Sequence, residues 1–158
     1  LLPLDYQQAL QDNVLLGFSG ISRLSGQHAK ATVSNIKQGK TLNEVREIFD
    51  LAVEGVDAFS KQADFPEIGK LIDQSWRLKR RLADGVSTDW MDDLYNTAKK
   101  NGAYGGKLMG AGGGGFFFFL APPHKHPGIR DALPQIKVWA PFKIDHAGSQ
   151  VIFYNQEH

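Results

Sequence analysis

The sequence predicts an α+β domain, a mostly antiparallel sheet with helices packed on one face. Its segments run strand, several helices, two strands, helix, strands. Short apolar runs closed by turn residues supply the strands, and longer stretches with apolar residues three and four apart supply the helices. The 158 residues, 42% hydrophobic and 22% charged, suit one globular domain with its own core.

Val14 to Phe18, closed by Ser19-Gly20, reads as a buried strand, and Gly26 to Ile36 as a helix. Thr41-Leu42-Asn43-Glu44 has the form of a capping box, in which the Thr hydroxyl accepts from the N3 amide while Glu reaches back. Behind it Val45, Ile48, Phe49, Ala52, Val56 and Phe59 keep helical spacing. A third helix begins near Pro66, with Ile68, Leu71, Ile72, Trp76 and Leu82 as its stripe. Ser87 is placed to cap a fourth helix bearing Met91, Leu94, Tyr95 and Ala98, which Gly102 ends. Ala103 to Met109 and Phe116 to Leu120 are the two strands. Pro127 opens a short helix through Leu133. Ile136 to Trp139, Phe142 to Ile144 and Val151 to Tyr154 read as strands. Residues 1–12 read as a linker or the end of an N-terminal domain, and 13–158 as the domain itself.

A net charge of +1 argues against a nucleic-acid footprint. The absence of cysteine excludes a disulfide framework, and nothing points to secretion. No apolar run approaches the roughly 20 residues of a membrane helix. Leu1-Leu2-Pro3-Leu4-Asp5 lacks the basic start of a signal peptide. The expectations are a cytoplasmic location, with neither nucleic acid nor membrane as partner. A first residue other than Met suggests a fragment or processed product.

Eight of the 17 glycines lie between Gly102 and Gly115, and four are consecutive. Such a run costs entropy in a strand or helix, so it needs another reason. Bare backbone can approach a ligand closely, and successive amides form a concave donor surface for phosphate oxygens. Lys107 could add a point charge. A glycine-rich hairpin connection without a ligand is the alternative, and the six residues Gly110 to Gly115 are long for one. Gly110, Gly112 and Gly115 fit G-x-G-x-x-G, but Phe116-Phe117-Phe118-Phe119 follows where a dinucleotide site needs a helix. Gly106-Lys107 is followed by Leu108 rather than Ser or Thr, so a P-loop is absent.

The run Gly105-Gly106-Lys107-Leu108-Met109-Gly110-Ala111-Gly112-Gly113-Gly114-Gly115-Phe116 closely resembles the third signature motif of the GHMP kinases. Four further segments resemble the D-glycero-D-manno-heptose 7-phosphate kinase branch: Phe18 to Arg23, Trp76 to Arg80, Val86-Ser87, and Gly102 to Lys107. Ser19 stands where that branch usually has Thr, and the hydroxyl is kept. The resemblance covers nearly the whole chain, but only the C-terminal half of the family protein.

The resemblance implies a ferredoxin-like C-terminal domain of an ATP-dependent small-molecule kinase. Its reaction would carry the ATP γ-phosphoryl group to a hydroxyl of a sugar or sugar phosphate, with heptose 7-phosphate as first choice and Mg²⁺ required. The principal phosphate loop, Mg²⁺ ligand and catalytic carboxylate would lie in the N-terminal domain. This fragment would then hold no catalytic residue and be inert alone. Lys107, Gly110, Ala111, Gly112, Gly113, Gly114 and Gly115 would meet the nucleotide phosphates or the partner loop. Ser19, Gly20, Arg23 and Lys79 would meet the substrate, with Arg23 forking onto its phosphate. The partners implied are the protein's own N-terminal domain and a small-molecule substrate; a homodimer is compatible. Galactose, fucose or phosphomevalonate as substrate stays open, as does a non-catalytic ferredoxin-like ligand-binding module. His124 and His126 lack a third metal ligand. Asp145-His146 reads as a turn, and Asp92-Asp93 suit a helix start.

Overall fold

The computed structural model describes residues 2–21, 26–110 and 112–148. Strands β1 (Val14–Phe18), β2 (Gly105–Leu108), β3 (Phe116–Leu120) and β4 (Val138–Ala140) form one sheet in the order β2-β3-β1-β4, antiparallel throughout. The helices are α1 (Leu4–Asp12), α2 (Gly26–Lys37), α3 (Leu42–Ser60), α4 (Phe65–Arg80), α5 (Asp89–Lys100) and α6 (His126–Ala132). This is the expected α+β class, with helices on both faces of the sheet rather than on one.

The five apolar residues of β3 point alternately to the two faces, because side chains alternate along a strand. Phe117 and Phe119 are fully buried and stack at 5.4 Å. They meet Leu15 of β1, Trp76 of α4, Met91, Leu94, Tyr95 and Ala98 of α5, and Ile129 of α6. Burying each phenylalanine contributes about 1.5–3 kcal/mol. Leu120 and Phe118 turn the other way and join Val14, Ile68, Leu71, Ala58 and Phe59 in a second cluster. Tyr6 and Leu10 of α1 pack against this cluster, and the Tyr6 hydroxyl donates to the Ala63 carbonyl at 2.8 Å.

Helix α4 serves both clusters and lies against β2. Its seat is a backbone contact without side chains. A β-carbon on Gly105 would stand 1.8 Å from the Gly69 carbonyl oxygen, and one on Gly69 would stand 2.3 Å from Cβ of Tyr104. The buried Asp73 of α4 accepts from the Tyr95 hydroxyl of α5 and pairs with Arg77 at 3.0 Å.

Several local expectations change. The capping box at Thr41 does not form. Thr41 is the N-cap, but with ψ at 27° its hydroxyl finds no partner and is buried. The cap of α5 is Thr88, which accepts from Met91 N–H, whereas the Ser87 hydroxyl donates to Asp92 at 2.6 Å. Asp64, which local pattern had not singled out, caps α4 by accepting from Glu67 N–H at 2.9 Å. The strand expected at 136–139 begins at Val138, and Ile136 is a core residue instead. Residues 142–144 form no strand: Pro141, which has no N–H, ends the ladder. The strand expected at 151–154 lies outside the described residues. The apolar stripe expected on α3 is split. Ile48, Leu51 and Phe59 line the α3–α4 groove, while Phe49 and Val56 are exposed.

Two outcomes follow from this packing. Gly105→Ala is expected to destabilise the domain by about 1–3 kcal/mol or more, read from the urea midpoint, because helix and strand must separate. Burial, and then the Asp73 carboxylate, hold the Tyr95 phenol far above its ordinary 10.0. A raised folded pKa gives stability that is present below pH 10 and lost as pH climbs beyond it. The urea midpoint of the wild type should therefore fall more steeply above pH 10 than that of Tyr95→Phe.

Candidate functional site

The glycine run connects β2 to β3, just past the last ladder pair, Leu108 opposite Phe117. Met109 N–H donates to the Phe116 carbonyl at 2.8 Å and closes the neck. Beyond it, Gly110, Gly112, Gly113, Gly114 and Gly115 all take positive φ, from 74° to 156°. The loop is pressed between two other backbone segments. A β-carbon on Gly112 would lie 2.8 Å from the Val86 carbonyl oxygen, and one on Gly114 would lie 2.6 Å from that of Ile21. Side chains are absent because main chain occupies their space.

Hydrogen bonds pin the loop at the same two places. Gly113 N–H donates to Val86 O at 3.1 Å, and Gly115 N–H to Ile21 O at 2.9 Å. Ser19 N–H donates to Gly115 O at 2.8 Å, and the buried Ser19 hydroxyl accepts from Gly115 N–H at 3.2 Å. Two loop amides are thus engaged within the chain. Among the described residues, the N–H groups of Gly110, Gly112 and Gly114 meet no acceptor.

Lys79 of α4 holds the entrance. Its ammonium donates to the carbonyls of Gly110 at 2.5 Å and Leu108 at 3.4 Å. Burial, and then the Lys107 ammonium, push its pKa below the ordinary 10.5. The Trp76 ring lies beneath, 6.0 Å from the Lys79 nitrogen and 5.9 Å from the Arg80 guanidinium. Arg80 pairs with Asp92 at 2.8 Å, and Asp92 also receives the Ser87 hydroxyl, which steadies the turn carrying Val86. Arg77, Arg80, Arg81 and Ser87 line a shallow concavity beside that turn.

The residues expected at the site therefore divide. Gly110 and Gly112–Gly115 form one loop, and Ser19 and Lys79 come to it, with their polar atoms on its backbone. Gly20 is exposed at φ 78° where the chain leaves β1. Lys107 lies opposite Phe118, and its side chain lines the α3–α4 groove. Arg23 and Ala111 lie outside the described residues. The His126 ring bonds the Ala121 carbonyl at 2.9 Å, and Asp145 accepts from Ala147 N–H in a turn. Among the described residues no three His, Asp or Glu groups converge as a metal site. Ile21 and Val86, the two pinning carbonyls, had no chemical signal of their own, since any residue carries a carbonyl.

Residues 43–136 match the family model described as GHMP kinases C terminal. The chain belongs to the GHMP kinases. It is 32% identical over 124 residues to a Campylobacter jejuni protein named D-glycero-alpha-D-manno-heptose 7-phosphate kinase, covering 78% of this chain and 36% of that protein. It is 31% identical over 114 residues to an Arabidopsis thaliana bifunctional fucokinase/GDP-fucose pyrophosphorylase, covering 71% of this chain and 11% of that protein. A solved putative sugar kinase from Campylobacter jejuni superposes with a TM-score of 0.58 at 28% identity, over 92% of this chain and 40% of that one. Mevalonate kinase from L. major shares the fold, with a TM-score of 0.67 at 24% identity, over 80% of this chain and 40% of that one. The chain thus spans little more than a third of the heptose kinase relative.

If Lys79 clamps the loop of this GHMP kinase domain, Lys79→Met should loosen it. Hydrogen exchange at Gly113 and Gly115 is expected to accelerate roughly ten- to hundredfold, the factor for losing a charged hydrogen bond of about 1.5–3 kcal/mol. Lys79→Arg should keep most of the protection.

Proposed function

We propose that this chain is the C-terminal half of an ATP-dependent kinase acting on a hydroxyl of a sugar or sugar phosphate. Heptose 7-phosphate is the first substrate to test. The observation that carries the reading is the glycine loop, pinned from behind at Val86 and Ile21, with the Gly112 and Gly114 amides left without an acceptor among the described residues. Similarity to a heptose 7-phosphate kinase supports the choice of substrate.

Phosphoryl transfer asks for position and charge stabilisation more than for covalent help. The substrate hydroxyl oxygen bonds the γ-phosphorus as the bond to the β-phosphate oxygen breaks, and the hydroxyl proton leaves to a base. On this reading the loop amides receive phosphate oxygens, and Lys79 and Ser19 keep the loop in shape. Arg23 is the candidate for the substrate's own phosphate. ATP fits this donor set. Mg²⁺ has no ligand set among the described residues. Metal, base and principal phosphate loop are assigned to a preceding N-terminal domain; residues 4–12, read from sequence as its end or a linker, pack instead as α1 on this domain's second cluster. The cleft between the two domains would exclude water. No helix among the described residues is long and apolar enough to cross a membrane, and a cytoplasmic setting is part of the proposal.

A coupled assay of the full-length protein with ATP and Mg²⁺ tests this against heptose 7-phosphate, galactose, fucose and phosphomevalonate. Turnover should be best with the heptose phosphate, and absent for the 158-residue chain alone. Absence of turnover with every substrate would favour the non-catalytic binding module. Gly113→Val, held at φ 74°, should abolish turnover in a protein that stays folded by circular dichroism. Retained turnover would remove the loop from the reaction.

A further inference from the structure

The glycine loop hangs from two carbonyls, and the two anchors are built differently. At the Ile21 anchor three bonds converge on Gly115. Its N–H reaches Ile21 O at 2.9 Å and the Ser19 hydroxyl at 3.2 Å, and its carbonyl accepts from Ser19 N–H at 2.8 Å. At the Val86 anchor there is a single bond, Gly113 N–H to Val86 O at 3.1 Å. Gly113 stands between Gly112 and Gly114, so this one bond sets how both neighbouring amides point.

The Val86 side chain is 1% exposed in the core, which fixes its α-carbon but not its carbonyl. That carbonyl and the Ser87 N–H belong to one rigid peptide plane. The plane can swing about its two α-carbons unless Ser87 is held as well. The Val86 N–H adds little, since it meets Ala83 O only at 3.4 Å. Ser87 is held by Asp92. The Ser87 hydroxyl donates to Asp92 Oδ1 at 2.6 Å, and the Arg80 guanidinium pairs with the same oxygen at 2.8 Å. The Asp92 backbone is fixed in the first turn of α5, where its N–H donates to Thr88 O at 2.9 Å.

We propose that Asp92 is a positioning residue for nucleotide binding. Through Ser87 it fixes the Val86 carbonyl, and through that carbonyl the direction in which the Gly112 and Gly114 amides meet ATP phosphate oxygens. Its carboxylate acts on the loop and not on the phosphates. This role rests on the reading of the loop as an ATP site. Donors whose support can swing bind more weakly, because part of the binding free energy then goes into ordering them.

The test uses the full-length protein and ATP, titrated by calorimetry without sugar. Asp92→Ala and Ser87→Ala should each weaken ATP roughly tenfold, the size expected for one hydrogen bond. The double variant should be no worse than either single one, since the two residues act in series. The KM for ATP should rise by the same factor with kcat held within about twofold, the pattern of lost binding that ground and transition states share. Asp92→Asn keeps an acceptor and Ser87→Thr keeps a hydroxyl, so both should retain most of the affinity. Asp93, next on the helix, is exposed and makes no ion pair among the described residues. Asp93→Ala should therefore leave ATP affinity unchanged, which separates the relay from a general effect of charge at the helix start. Amide exchange in Asp92→Ala should accelerate at Gly113 and not at Gly115, whose bonds belong to the other anchor. A wild type that binds ATP, with Asp92→Ala binding it equally well, overturns the positioning role and leaves the ATP site standing. A wild type that binds no ATP overturns both. Faster exchange at Gly113 and Gly115 alike would show general loosening of the fold, and overturns the role too.

Discussion

The contact of α4 with β2 at Gly69 and Gly105 places the rest of the site. Two backbones touch there with no side chain between them. From that point both elements run on in step. Lys79 lies ten residues along the helix, about 15 Å at 1.5 Å per residue. Gly110 lies five residues along the strand and its exit, about 17 Å at 3.3 Å per residue. The two advances match, and the Lys79 ammonium arrives at the Gly110 carbonyl. A wider spacing at Gly69 would put the clamp out of reach of the loop.

The same helix ties the loop to α5 through polar groups. Asp73 receives the Tyr95 hydroxyl, and Arg80 reaches Asp92, which also holds Ser87. Ser87 follows Val86, whose carbonyl takes the Gly113 amide. Loop, turn, α5 and α4 therefore form a closed circuit, with the exit of β1 as its second anchor through Ser19 and Ile21. Such a circuit suits a loop that must offer amides without rearranging, because preorganised donors need no reorganisation when charge arrives.

Helix α3 shows how amphipathic pattern can mislead. Its apolar residues satisfy helical spacing, yet they belong to two stripes rather than one. Periodicity names the residues that share a face; it does not say whether that face meets the core or another molecule. The buried, unpartnered Thr41 hydroxyl makes a related point, since a capping-box sequence forms no cap when the N-cap ψ is not extended.

Residues 14–18 and 116–120 could be read as strands from sequence because a run of apolar residues bounded by Ser-Gly or by glycines has few other uses. The glycine density of 110–115 likewise announced a place where backbone must come close to something. These are local signals, carried by residue type and spacing. What the loop comes close to was decided by tertiary structure, because its anchors are the carbonyls of Val86 and Ile21, and a carbonyl is the same in every residue. The roles of Ser19 and Lys79 were decided there too. A hydroxyl or an ammonium advertises bonding capacity in the sequence, but its partner depends on which distant backbone the fold brings within about 3 Å.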